Sequence, residues 1–88
     1  MLINISNFGD ILISRPAGRE AFLLAKAYAF KEINQTDEII LDFDKIKVLT
    51  PSWADEFITG IRQEVSNLIQ CINTDNPSVQ ASLDAIFK

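Results

Sequence analysis

The segment Glu38-Ile39-Ile40-Leu41-Asp42-Phe43 limits the possible folds more than any other part of this chain. Its nearly unbroken apolar and β-branched run is the pattern of a central parallel strand covered on both faces. A parallel strand is reached only through a crossover, and the residues before it supply one. Ser14 followed by Arg15-Pro16 reads as a helix cap with a proline in the first turn, opening a helix that runs to about Ile33. Ala17, Ala21, Leu24 and Tyr28 line one face of it and Phe22, Ala25 and Ala29 the next, a wide apolar arc suited to a helix lying flat on a sheet. Arg19, Lys26 and Lys31 mark the wet side, and Asn34-Gln35-Thr36-Asp37 ends the helix.

Upstream, Leu2-Ile3-Asn4-Ile5 alternates in a strand-like way and Ile11-Leu12-Ile13 follows the turn residues Gly9-Asp10, which predicts a β-hairpin. Downstream, Asp44 to Leu49 leads into Thr50-Pro51-Ser52-Trp53-Ala54-Asp55-Glu56, where two helix starts overlap. Thr50 caps with Pro51 as the first helical residue, or Ser52 caps with Asp55 closing a capping box. Ala54, Phe57, Ile58, Ile61 and Val65 continue at helical spacing, and Gly60 allows close packing. Leu68-Ile69-Gln70-Cys71-Ile72 reads as a last strand, and Asn76-Pro77 opens a short helix through Val79, Leu83 and Ile86. The expectation is an α/β fold, a small sheet of about four strands with three helices in the order ββαβαβα, forming a single domain over residues 1–88. A chain of this length buries about 60–65% of its unfolded surface, enough for one core.

Composition removes whole classes of chemistry. The chain has no histidine, the usual neutral-pH base and the commonest metal ligand, so Ser-His-Asp, Cys-His and His-based zinc sites are excluded. A single cysteine, Cys71, forbids an internal disulfide and any CxxC pair, and reads as a small buried apolar residue in a reducing cytoplasm. Eight Lys and Arg against twelve Asp and Glu give a net charge of −4, which repels phosphate backbones and anionic lipid, so nucleic-acid and membrane partners are not expected. No stretch has the apolar length of a membrane span, and the first residues lack a signal-peptide pattern. With 48% hydrophobic residues on helix and strand faces, the chain is expected to fold without a cofactor.

Phe8-Gly9, Leu12, Ser14-Arg15, Ile40-Leu41-Asp42-Phe43 and Ser52 with Ala54-Asp55-Glu56-Phe57 together resemble the bacterial STAS-like domain family of unknown function. The resemblance runs from about Phe8 to Phe87 and takes in Asn73 after the last strand. The family is named for its likeness to STAS domains, the small α/β modules of anti-sigma-factor antagonists and sulphate transporters. The resemblance therefore implies binding of a partner protein, a histidine-kinase-like ATPase, switched by phosphorylation of a serine where the central strand meets the next helix. The antagonist motif resembles Asp-Ser-Ser-Gly, against which Thr50 falls on the aspartate, Pro51 on the phosphorylated serine, Ser52 on its neighbour and Trp53 on the glycine. Ser52 is thus the first candidate switch residue and Thr50 the second.

If Ile11–Ile13 and Glu38–Phe43 run parallel, the following helices start at one edge, where Ser14, Arg15, Thr50 and Ser52 gather. Unpaired N–H groups at two helix starts, with Arg15 as a bidentate donor, suit a phosphate or carboxylate. The plainer roles are caps for Ser14 and Ser52, an ion pair of Arg15 with Asp42 or another acid, and first-turn acids favouring the helix dipole for Asp55 and Glu56. Trp53 is an interface anchor or a core ring. Asp42, Asp44 and Asp55 carry metal-type oxygens at unspecific spacing, and Lys45–Lys47 reads as a solvated loop. Two functions compete: a non-enzymatic regulatory module contacting a protein partner through Thr50–Trp53, with Ser14, Arg15, Asp55 and Glu56 around it, and a sensor of small anions or nucleotides at the same helix starts. No Gly-rich phosphate loop supports the second, and no nucleophile–base pair supports an enzyme.

Overall fold

The computed structural model describes residues 1–31 and 33–87. Among the described residues it is a mixed α/β fold with three α-helices and five strands in two sheets, one strand more than expected. Strands β1 (Leu2–Asn4), β3 (Ile39–Asp42) and β5 (Ile69–Ile72) form an all-parallel sheet in the order β1-β3-β5. Strands β2 (Ile11–Leu12) and β4 (Val48–Leu49) make a separate parallel pair, with Ile11 opposite Val48 and Leu12 opposite Leu49. The helices are α1 (Arg15–Tyr28), α2 (Pro51–Glu64) and α3 (Pro77–Ile86).

The expected hairpin does not form. A 3-10 turn over Ile5–Phe8 lifts the chain out of the sheet, burying Ile5 completely, so β1 pairs with β3 and β2 with β4. The parallel neighbour of β2 is accordingly β4 and not the Glu38–Phe43 strand. Strand β4 escapes notice in the sequence because two residues carry no periodicity; it is held by its surroundings. On its outer side Ser78 Oγ and Ser82 Oγ both donate to the Leu49 carbonyl, at 2.9 and 2.7 Å, and the Leu49 N–H donates to Ser78 Oγ at 3.0 Å. Asn76 Nδ2 donates to the Ile46 and Lys47 carbonyls just before the strand. Side chains from the start of α3 thereby do the work of a neighbouring strand.

Helix α1 stops at Tyr28, short of Ile33, and Phe30 and Ile33 fold back against the core. Its buried stripe is narrower than the expected arc: Gly18, Ala21, Phe22 and Ala25 are covered, whereas Leu24 is 50% and Tyr28 83% exposed. Helices α1 and α2 approach closely because both carry glycine at the contact. A Cβ on Gly18 would lie 2.6 Å from the Trp53 carbonyl oxygen, and one on Gly60 2.7 Å from the Phe22 ring.

The central strand is covered on one face only. Ile39, Leu41 and Phe43 are buried with Ile3 against the helices' apolar residues, including Phe57, Ile58, Ile61 and Val79. On the other face Ile40 and Asp42 are half-buried, and their neighbours Leu2, Asn4 and Gln70 are exposed. The apolar run reflects a central position in the sheet rather than a second covering layer.

Candidate functional site

Strands β2 and β4 run parallel and end side by side, so the helices that follow them start side by side as well. Backbone and side chain lace these starts together. The Thr50 N–H donates to the Leu12 carbonyl at 3.0 Å, and the Thr50 hydroxyl donates to the Ile13 carbonyl. The same hydroxyl accepts the Trp53 N–H at 3.3 Å, which makes Thr50 the N-cap of α2 with Pro51 as its first residue. Ser14 Oγ accepts the Ala17 N–H at 3.2 Å and caps α1. Of the two overlapping starts in the sequence, the Thr50-Pro51 one is used, and Ser52 lies inside the first turn. Its half-buried hydroxyl has no hydrogen-bond partner among the described residues.

Asp55 closes no capping box, and Asp55 and Glu56 fall just past the first turn of α2. They face Arg15 instead: Arg15 Nη1 donates to Asp55 Oδ2 at 2.9 Å and to Glu56 Oε2 at 3.0 Å, joining the two helices. Thr59 Oγ1 donates to the other Asp55 oxygen at 3.0 Å. The Arg15 bond, reinforced by Thr59, holds the Asp55 carboxyl below its ordinary 3.8, and the two acids in turn raise Arg15. A second bridge, Lys26 to Glu64 at 2.8 Å, ties the far ends of the same helices. Thr59 has a signal in the sequence, standing four residues after Asp55 and so one turn along the same face.

The remaining candidates separate. Of the two places open to Trp53, the structure shows the core: the residue is 2% exposed, its ring stacked on Phe57 at 5.1 Å with Phe8 tilted against both. It supports the turn from beneath. Asp42 is not the partner of Arg15. It stands at the end of β3, where Asn73 Nδ2 and the Asp44 N–H both donate to its Oδ1, at 2.8 and 2.9 Å. Asp42, Asp44 and Asp55 are therefore not gathered, and among the described residues no group of three acidic or thiol ligands is placed to hold a metal ion. Lys45 and Lys47 are exposed, as a solvated loop requires, and Lys47 reaches the exposed Asp10 at 3.4 Å. Cys71 is half-buried, and burial pushes its thiol up to about 11, so little thiolate forms at neutral pH. No helix among the described residues is long and apolar enough to cross a membrane.

What this arrangement offers is a polar ledge at two joined helix starts: Ser14, Arg15, Ser52, Asp55 and Glu56 on a floor made by Trp53. The family model for the STAS-like domain of unknown function (DUF4325) matches residues 26–79, and the chain belongs to that family. The match takes in β3, β4, α2 and β5 and reaches the first turn of α3, a shorter span than the resemblance read from Phe8 to Phe87. No curated protein and no solved structure matches the chain.

Proposed function

We propose that the chain is a non-enzymatic regulatory module that binds a partner protein through the joined starts of α1 and α2, with Ser52 as the switch hydroxyl. The observation that carries this reading is the division of labour between two neighbouring hydroxyls. Thr50 is committed twice, as a donor to Ile13 and as the cap of α2, whereas Ser52, in the first turn, has no hydrogen-bond partner among the described residues. Phosphorylating Thr50 would break the start of the helix; phosphorylating Ser52 would place the group where helix N–H groups and the helix dipole tolerate it.

The charge balance of the ledge then changes. Ser52 precedes Asp55 and Glu56 by three and four residues, so all three lie on one face of α2, the face that meets Arg15. At present one guanidinium is shared by two carboxylates. A phosphate adds roughly −1.5 to −2 charge beside them and competes for Arg15, loosening the bridge between the helices while making the surface strongly acidic. The partner class implied by the STAS likeness is a histidine-kinase-like ATPase in the bacterial cytoplasm. The anion- or nucleotide-sensing alternative ranks second because its cation is already engaged by Asp55 and Glu56, both of which would meet the incoming anion.

The test uses a partner recovered on the native protein and identified by mass spectrometry, with affinities measured for wild type, Ser52→Ala, Ser52→Asp and Arg15→Ala. Ser52→Asp should weaken or redirect binding about tenfold, worth about 1.4 kcal/mol, with an unchanged melting temperature. Ser52→Ala should bind as the unmodified protein does. Equal affinity for all four folded proteins would place the interface elsewhere and end this reading.

A further inference from the structure

The strand edges of this fold are treated unequally. The outer edge of β4 is closed by Asn76, Ser78 and Ser82, but β1 pairs with β3 on one side and, among the described residues, has no strand on the other. Because the Ile40 N–H donates to the Met1 carbonyl, and pairing alternates along a strand, the backbone groups of Leu2 and Asn4 point away from the sheet. Leu2-Ile3-Asn4 has none of the devices that blunt an edge: no charge, no proline, no bulge. Beside it runs an apolar groove of about 350 Å³ between β1 and α1, lined by Leu2, Phe8, Leu24, Ala25 and Tyr28. Leu2 is 56%, Leu24 50% and Tyr28 83% exposed, an unusual concentration of large apolar surface in a chain of this size.

We infer that this edge is a self-association surface on which two copies of the chain pair antiparallel through β1, continuing the sheet from one copy into the other. The register of the strand makes it self-complementary. With a twofold axis at Ile3, Leu2 of each copy meets Asn4 of the other, and these are the residues whose N–H and C=O groups point outward. The same rotation brings the Leu24–Tyr28 side of each α1 over the seam. A second copy suits the groove better than an oppositely charged partner because the residues lining it are uncharged, so a net charge of −4 on each copy is not set face to face there. A stable pair takes about 800 Å² from each partner, close to a seventh of the 5307 Å² surface of the described residues.

Sedimentation velocity and light scattering of the full chain over a concentration series test the inference, with Asn4→Pro, Tyr28→Glu and Leu68→Glu as variants. Asn4 has φ −81°, within proline's reach, and its side chain caps nothing, so Asn4→Pro removes an outward N–H at little cost to the monomer. Wild type should approach twice 9.9 kDa as concentration rises. Asn4→Pro and Tyr28→Glu should each shift the dissociation constant at least about tenfold toward monomer with unchanged circular dichroism, whereas Leu68→Glu, 71% exposed beside the opposite edge strand, should leave it alone. The amides of Leu2 and Asn4 should exchange slowly in concentrated wild type and quickly in Tyr28→Glu. A chain that stays monomeric at about 500 μM, or a dimer that ignores both edge variants, overturns the inference.

Discussion

Asn73 takes the left-handed backbone conformation, φ 56°, and uses its side chain to join the ends of two strands by donating to Asp42. Asparagine is among the few residues that adopt this conformation at modest cost, so one side chain solves a turn and a cross-strand bond together. Its bond, with that of the Asp44 N–H behind it, holds the Asp42 carboxyl below its ordinary 3.8. A carboxyl depressed in the folded state stabilises above its unfolded value, and that contribution is lost as pH falls from about 4 through the depressed value. Asn73→Ala should cost on the order of 1–2 kcal/mol in stability by denaturant titration and shift the Asp42 titration upward by carboxyl NMR, leaving it depressed only by the Asp44 N–H. Asn73→Gly should restore the backbone but not the titration. At the turn into α2, Thr50→Ala should lose about 1–2 kcal/mol while Ser52→Ala stays within about 0.5 kcal/mol, since only Thr50 caps. The sequence made Asn73 and the Thr50–Ser52 pair visible as residues of interest. It left their roles open because Thr50-Pro51 and Ser52 with Asp55 satisfy the same local rules, and the choice is made by Ile13, thirty-seven residues away, accepting the Thr50 hydroxyl.

At the scale of elements, what was legible is what local chemistry dictates. All three helices begin at a Ser, Thr or Asn cap with proline in the first turn, and β3 and β5 stand where their apolar runs are. Pairing was not legible. Nothing local distinguishes a β1–β2 hairpin from two parallel pairings, which are decided by burial of Ile5 and by the serines of α3 that close β4. Those serines share one acceptor, so their loss should be coupled. Ser82→Ala leaves the Leu49 carbonyl bonded to Ser78 and should cost on the order of 1 kcal/mol; the double variant orphans that carbonyl and should exceed the sum of the single changes. The α1–α2 contact makes the reverse point with glycine. Alanine ordinarily gains about 1 kcal/mol over glycine in a helix, but Gly18→Ala should destabilise by about 1–3 kcal/mol, because its new Cβ would press on the Trp53 backbone, which cannot rotate aside. A chemical-denaturation series reads all of these, and a stabilising Gly18→Ala would show that the helices are less closely engaged than their spacing requires.

For the molecule as a whole, the position of Trp53 makes cooperativity measurable. The two sheets share no strand, which in principle allows the β2–β4 pair with the helix starts to open separately from β1-β3-β5. The packing argues against separate opening. Trp53 follows directly on the Thr50 cap at the end of β4, is 2% exposed, stacks on Phe57, and has its carbonyl against Gly18 of α1. Phe8, from the turn that leaves β1, closes on the same two rings. Buried residues from both sheets, Ile3, Ile39 and Leu41 on one side and Leu12 and Leu49 on the other, belong to one contiguous core that also includes Trp53. Opening the smaller pair would therefore expose the largest rings of the core, with a loss of about 1.5–3 kcal/mol for each large side chain brought into water. The chain should unfold as one unit. As the single tryptophan, Trp53 should emit at the short wavelengths of a buried indole in the folded protein, and its red shift in urea should coincide in midpoint and slope with the loss of helical circular dichroism. A tryptophan transition that precedes the loss of helix would mean that the helix starts and the β2–β4 pair form a separately unfolding part, and the proposed Ser52 switch would then act by local opening instead of by surface charge.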